Sequence, residues 1–115
     1  MANDKSELVI QLNDLDKLKE TLRSKAGLAV RKAALDIQAQ AQQRAPVDTG
    51  ALRNSIQARK DASRPFAWEV AVGAEYGANV EYGTTKQAAQ PYLTPAVDIV
   101  RPQLQAILKE MMDGE

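Results

Sequence analysis

One stripe of residues constrains the fold of this chain more than any other feature. From Leu15 the apolar positions advance in steps of three and four through Leu18, Leu22, Ala26, Ala29, Ala33 and Ile37 to Ala41. That spacing places them on one face of an α-helix reaching about Arg44. The opposite face carries Lys17, Lys19, Arg23, Lys25, Arg31 and Lys32 with Glu20 and Asp36, a solvated surface. Asn13 or Asp14 is a good N-cap. Ala45 ends the helix, because Pro46 disfavours helical geometry in the residue before it and has no N–H to donate. Gly27 interrupts the stripe at about 1 kcal/mol relative to alanine, which leaves room for a bend there.

The rest of the chain reads as strands and one more helix. Glu7 to Leu12 is a short apolar run suited to a first strand. Ser55 to Asp61 and Phe66 to Gly73 read as two strands around the turn-like Ala62-Ser63-Arg64-Pro65. In the second, Phe66, Trp68, Val70 and Val72 alternate toward the core, leaving Ala67, Glu69 and Ala71 outward. Ala74 to Tyr82 fits a short helix or an extended stretch, and Gly83 to Gln90, with almost nothing to bury, reads as a mobile loop. Thr94-Pro95 gives a hydroxyl N-cap followed by proline at the first helical position. Val97, Val100, Leu104, Leu108 and Met111 then form an apolar stripe, and Pro102 inside it should kink the helix or split it in two. The sum is one α+β domain over residues 1–115, with residues 1–5 expected to be disordered. A long N-terminal helix and a C-terminal helix pack on a small, mainly antiparallel sheet.

Composition narrows the chemistry. The chain has 115 residues, within the roughly 100–200 of one domain. One Trp, one Phe and three Tyr leave a core of Ala, Leu, Ile and Val, and alanine buries little area at roughly 25 cal/mol per Å². Burial on self-association would offset that shortage. Fifteen basic and fifteen acidic residues cancel, so nothing demands a nucleic-acid partner, least of all a sequence-specific one. Without cysteine or histidine there is no thiol chemistry and neither the commonest metal ligand nor the commonest general base. No glycine-rich phosphate loop appears, and no cofactor is expected. No apolar run approaches the ~20 residues that span a bilayer, and no signal core opens the chain, which reads as cytoplasmic when made.

Asp48-Thr49-Gly50 is the active-site triplet of aspartic proteases, in which two carboxylates meet and share a proton. A chain this short could supply the pair only as a homodimer. The protease triplet follows a buried strand, however, whereas Gln38 to Ala45 are helix formers with Pro46 next. The alternative is that Asp48 caps the short segment Thr49 to Ser55, with Gly50 supplying backbone freedom. Glu75 and Glu81 read as surface charge. Arg53, Arg59, Lys60 and Arg64 form a loose basic cluster near Phe66 and Trp68, read as a rim of cations around core aromatics.

Two segments carry a family resemblance. The first is Arg44-Ala45-Pro46-Val47-Asp48-Thr49-Gly50-Ala51-Leu52-Arg53-Asn54-Ser55-Ile56. The second is Val80-Glu81-Tyr82-Gly83-Thr84, a variable small-residue loop, and then Gln90-Pro91-Tyr92-Leu93-Thr94-Pro95-Ala96. In this order, with Val70-Ala71-Val72-Gly73 and Tyr76 between them, they resemble the tail-component family of long-tailed, lambda-like bacteriophages and prophages. Tyr92 stands where phenylalanine is commoner. The resemblance implies a non-enzymatic virion protein of the head–tail joining or tail-completion kind, made in the host cytoplasm and carried in the tail or head–tail junction. Its implied partners are copies of itself in a ring matching the tail's sixfold symmetry, and tail-tube, tail-terminator or connector proteins, with no membrane role. Pro46, Asp48, Thr49, Gly50, Pro91 and Pro95 then maintain the fold. Tyr76, Glu81, Tyr82, Gly83, Thr84, Thr85, Lys86, Gln87 and Gln90 become the candidate interface.

Overall fold

A computed structural model describes residues 8–12, 20–46, 50–64 and 66–113. The expectations for Glu7, the Asn13 or Asp14 cap, Leu15, Leu18, Asp48, Thr49, Pro65 and residues 1–5 lie outside the described residues. Strand β1 (Leu8–Leu12) is followed by helix α1 (Glu20–Arg44), a one-turn helix α2 (Ala51–Asn54), and strands β2 (Ile56–Lys60) and β3 (Trp68–Val72). Helices α3 (Gly77–Tyr82) and α4 (Leu93–Asp113) complete the order. The strands make one antiparallel sheet in the order β1-β3-β2, in which Val72 pairs with both Leu8 and Ile56, and Trp68 with Leu12 and Lys60. The architecture is the α+β arrangement that the patterning dictates.

Helix α1 lies between the sheet and α4. Its stripe buries Ala26, Val30, Ala33, Ala34, Ile37, Ala41 and Ala45 in one cluster with Ile56, Val70 and Val72 from the sheet and Val97, Val100 and Leu104 from α4. Val30 and Ala34 extend the expected stripe sideways because the helix is covered on two sides, not one. Gly27 has a packing reason: a Cβ there would stand 2.7 Å from Cδ1 of Phe66. The Phe66 backbone is at φ 65°, in the left-handed region, which holds its ring over that bare turn of helix.

Three expectations need correction. Val70 and Val72 face the core as the alternation requires, but Ala67 and Ala71 are buried too, at 3% exposure each, outside the main cluster. Ala71 sits on the central strand with a strand paired on each side, which covers a small side chain on either face, while Ala67 stands just ahead of that strand. Pro102 does not split the C-terminal helix, which runs unbroken from Leu93 to Asp113 with Pro102 on its exposed face. Thr94 is not the residue that precedes α4 but lies within its first turn, and the capping comes from elsewhere in the chain.

Side chains of α1 also close one edge of the sheet. The Ala58 N–H donates to Oε1 of Gln38 at 2.6 Å, and Nε2 of Gln42 donates to the carbonyls of Arg53 and Ile56 at 3.4 Å. Arg53 answers through Nε, which donates at 3.1 Å to the Gln42 carbonyl in the last turn of α1, where helical partners run out. On the far face of the sheet Arg59 pairs with Glu69. Phe66 and Trp68 pack against the core, as the rim reading of the basic cluster requires.

Candidate functional site

The two signature segments converge at the end of the molecule where α1 stops and α4 starts. Each first makes its own structural device. In the first, Gly50 takes φ 76° ahead of α2, and its carbonyl accepts the Asn54 N–H at 3.0 Å. Leu52 and Ile56 are buried, and Ser55 Oγ donates to the Leu52 carbonyl at 2.8 Å. The Asp-Thr-Gly triplet follows a helix end at Arg44, not a strand.

In the second segment the device is a carboxylate. Glu81, expected on the surface, is only 3% exposed. Its Oε1 accepts the N–H groups of Tyr92 at 2.9 Å and Leu93 at 2.8 Å, and its Oε2 accepts the Thr94 N–H at 2.9 Å. Pro95 has no N–H, so the donors left over at the start of α4 are all accounted for. Burial alone would raise the Glu81 pKa. The Thr94 hydroxyl and the three backbone N–H groups outweigh it and hold the carboxyl below the ordinary glutamate value. Tyr92 is fully buried, and its hydroxyl donates to the Gly77 carbonyl at 2.8 Å. Burial, with the Glu81 charge beside it, pushes that hydroxyl far above the usual tyrosine range. No local capping pattern in the sequence points to Glu81, because it acts across eleven to thirteen residues. The signal that could have found it is the placing of a lone glutamate and a helix start within one motif.

Between these devices lies a cleft of about 420 Å³. Pro46 and Leu52 line it from the first segment, Tyr76, Asn79 and Val80 from around α3, and Gln87, Ala88 and Gln90 from the second segment. The Gln90 N–H donates to the Val80 carbonyl at 2.8 Å, which closes the outer wall. That wall is a tight turn in which Thr84 and Gln87 exchange backbone hydrogen bonds and Oγ1 of Thr84 accepts the Lys86 N–H at 3.2 Å. Gly83 permits it by adopting φ 79°. Residues 84–91 are all exposed, as are Tyr76 and Tyr82.

Of the candidate interface residues, Tyr76, Gln87 and Gln90 thus meet at the cleft, Thr84, Thr85 and Lys86 form the adjoining turn, and Tyr82 stands on the exposed surface outside the lining. Glu81 is removed from any contact surface by burial. Leu52, Asn79, Val80 and Ala88 were not singled out by sequence, because a cleft lining follows from packing and not from any local pattern. The lining offers a phenol, three carboxamides and apolar groups, which bind by shape and hydrogen bonds. Among the described residues no group of three or more His, Cys, Asp or Glu could hold a metal ion, and no helix is long and apolar enough to cross a membrane.

Comparison with known proteins gives one result. Residues 12–83 match the family model HK97-gp10_like, described as "Bacteriophage HK97-gp10, putative tail-component". No curated protein and no solved structure matches the chain. The matched span covers α1, both strands of the β2–β3 hairpin and α3, and so includes the first signature segment and the start of the second. The chain therefore belongs to the HK97-gp10-like family of bacteriophage tail components.

Proposed function

We propose that this chain is a structural protein of the virion that completes the tail or joins it to the head, working by self-association into a ring and by docking on tail or connector proteins. Membership of a tail-component family is the observation that carries this reading. The surface chemistry is in keeping with it. The cleft, the turn at 84–87 and the exposed Tyr76 and Tyr82 form one neighbourhood. Tyrosines bring large contact area with a polar tip, as protein–protein interfaces favour.

The test uses the phage or prophage that carries the gene. Deleting the gene should leave filled heads and tails unjoined or tails unfinished, visible by electron microscopy, and supplying the chain in trans should restore infectious particles. Normal particles in its absence would remove the reading.

A further inference from the structure

We propose that β1 is a docking edge on which a second copy of this chain pairs its own β1, antiparallel, continuing the sheet across a twofold axis. The inference goes beyond the virion reading, since a twofold contact ends at two copies and cannot by itself close a ring.

The register decides which backbone groups β1 turns outward. Across the hairpin the Gly73 N–H donates to the Ser55 carbonyl at 3.0 Å, and the Asp61 N–H to the Ala67 carbonyl at 2.9 Å. Alternation in the antiparallel ladder then points the backbone groups of Ala71 and Glu69 at β2, and those of Val72, Val70 and Trp68 at β1. Leu8, Ile10 and Leu12 oppose the latter three, so their own groups point back at β3. Val9 and Gln11 therefore each turn an N–H and a C=O away from the sheet. Among the described residues these outward groups have no hydrogen-bond partner.

The other edge of the sheet is closed. On β2 the Ala58 N–H and the Ile56 carbonyl are taken by Gln38 and Gln42 of α1, and the strand ends in Arg59 and Lys60. Helix α1 packs over β2 and β3, whereas β1 packs chiefly on β3. Leu8-Val9-Ile10-Gln11-Leu12 holds neither charge nor proline, two features that keep an edge from pairing.

That asymmetry selects the occupant. A row of N–H and C=O groups is satisfied along its length by another extended backbone. With β2 closed, the open strand that a second copy offers among its described residues is β1 itself. The pairing is self-complementary. Centred on Ile10, it sets Val9 opposite Gln11 of the second copy and Gln11 opposite Val9 of the second copy, each pair exchanging both N–H···O=C bonds. Ile10 then opposes its own counterpart in a non-hydrogen-bonded position.

Gln11→Pro tests the edge and spares the β3 ladder, because the N–H that it removes points outward. Light scattering should find the wild type passing from one copy to two as concentration rises. Gln11→Pro should lose that step while its circular dichroism and melting temperature stay near those of the wild type. The chain has no cysteine, so one introduced thiol reads the register whatever the proline does to folding. Opposed Cα atoms in a non-hydrogen-bonded pair lie about 4.5 Å apart, within disulfide reach. Under mild oxidation Ile10→Cys should cross-link roughly tenfold faster than Met112→Cys, whose exposed thiol meets its copy only by collision. The proposal is overturned if the wild type stays a single copy up to ~1 mM, the weak end of useful affinity. It is equally overturned if folded Gln11→Pro associates like the wild type, or if Ile10→Cys cross-links no faster than Met112→Cys.

Discussion

A buried carboxylate that accepts three backbone N–H groups is a residue whose chemistry can be measured directly. Replacing Glu81 by alanine strands the N–H groups of Tyr92 and Leu93 in a site from which water is excluded. Each such orphan costs roughly 1–3 kcal/mol, so Glu81→Ala should destabilise the protein by about 3 kcal/mol, more than an exposed cap would. Glu81→Gln keeps one acceptor and should cost less. The pH dependence has a definite sign. Because the folded carboxyl titrates below the ordinary value of 4.5, its contribution is complete above that pH and disappears as pH falls through the lower folded value. Wild-type melting temperature should therefore drop more steeply below pH 4.5 than that of Glu81→Gln. Asp61, also held low by the Ser63 hydroxyl and N–H, is common to both proteins and cancels in the difference. Parallel profiles for the two would show that the carboxylate charge is not what holds α4.

Gly27 and Phe66 give a second test at the same scale. Helix propensity alone says that Gly27→Ala should stabilise by about 1 kcal/mol. Contact at 2.7 Å with the Phe66 ring and 3.2 Å with its Cβ says the opposite, since overpacking costs typically 1–3 kcal/mol. The contact should win, because the left-handed backbone of Phe66 limits where its ring can go. In a Phe66→Ala background the same substitution should become neutral or stabilising, and denaturant titration of the four proteins measures that reversal.

At the scale of elements, what could be read from sequence follows from where each element finds its partners. The α1 stripe was legible because its period of 3.6 survives whatever covers it, and α4 likewise shows its stripe from Val97 to Met111. The β2–β3 hairpin was legible from two β-rich runs around a turn. The cap of α4, the reason for Gly27 and the cleft were not, because each depends on a side chain brought from a distant element. The same holds for the closed edge of the sheet. Nothing in the run Gln38-Ala39-Gln40-Ala41-Gln42 announces that Gln38 and Gln42, one turn apart, will face the outer backbone of β2. Gln38→Ala should leave the Ala58 N–H unpaired at a cost of about 1 kcal/mol and expose an edge to strand pairing between molecules. The expected outcome is a modest fall in melting temperature with earlier aggregation on heating, read by light scattering during the melt. Unchanged aggregation would mean that the helix body, not the glutamine, protects the edge.

For the whole molecule the decisive region is the turn that walls the cleft. An alanine-rich core leaves a single copy little apolar area to spare, and assembly supplies more. The turn contributes almost nothing to that core, with residues 84–91 all exposed. Its two ends nevertheless meet: a Cβ on Gly83 would lie 2.8 Å from the Ala89 nitrogen. A chain lacking Thr84 to Ala89 can thus be rejoined between Gly83 and Gln90 with little displacement of Glu81 or Tyr92, so α4 keeps its cap. Removal also deletes Lys86, Gln87 and Ala88, one wall of the cleft and one of its nearby cations. Folding and assembly should therefore separate. The shortened protein should melt within a few degrees of the wild type yet grow no further than two copies where the wild type forms larger assemblies, and should fail to restore particles in trans. Association that weakens with salt in the full-length wild type but not in full-length Lys86→Gln would assign part of the contact to Lys86. Unchanged assembly of the shortened chain would take the interface away from this end of the molecule, whereas a large loss of stability would make the turn a structural clamp on α3 and α4.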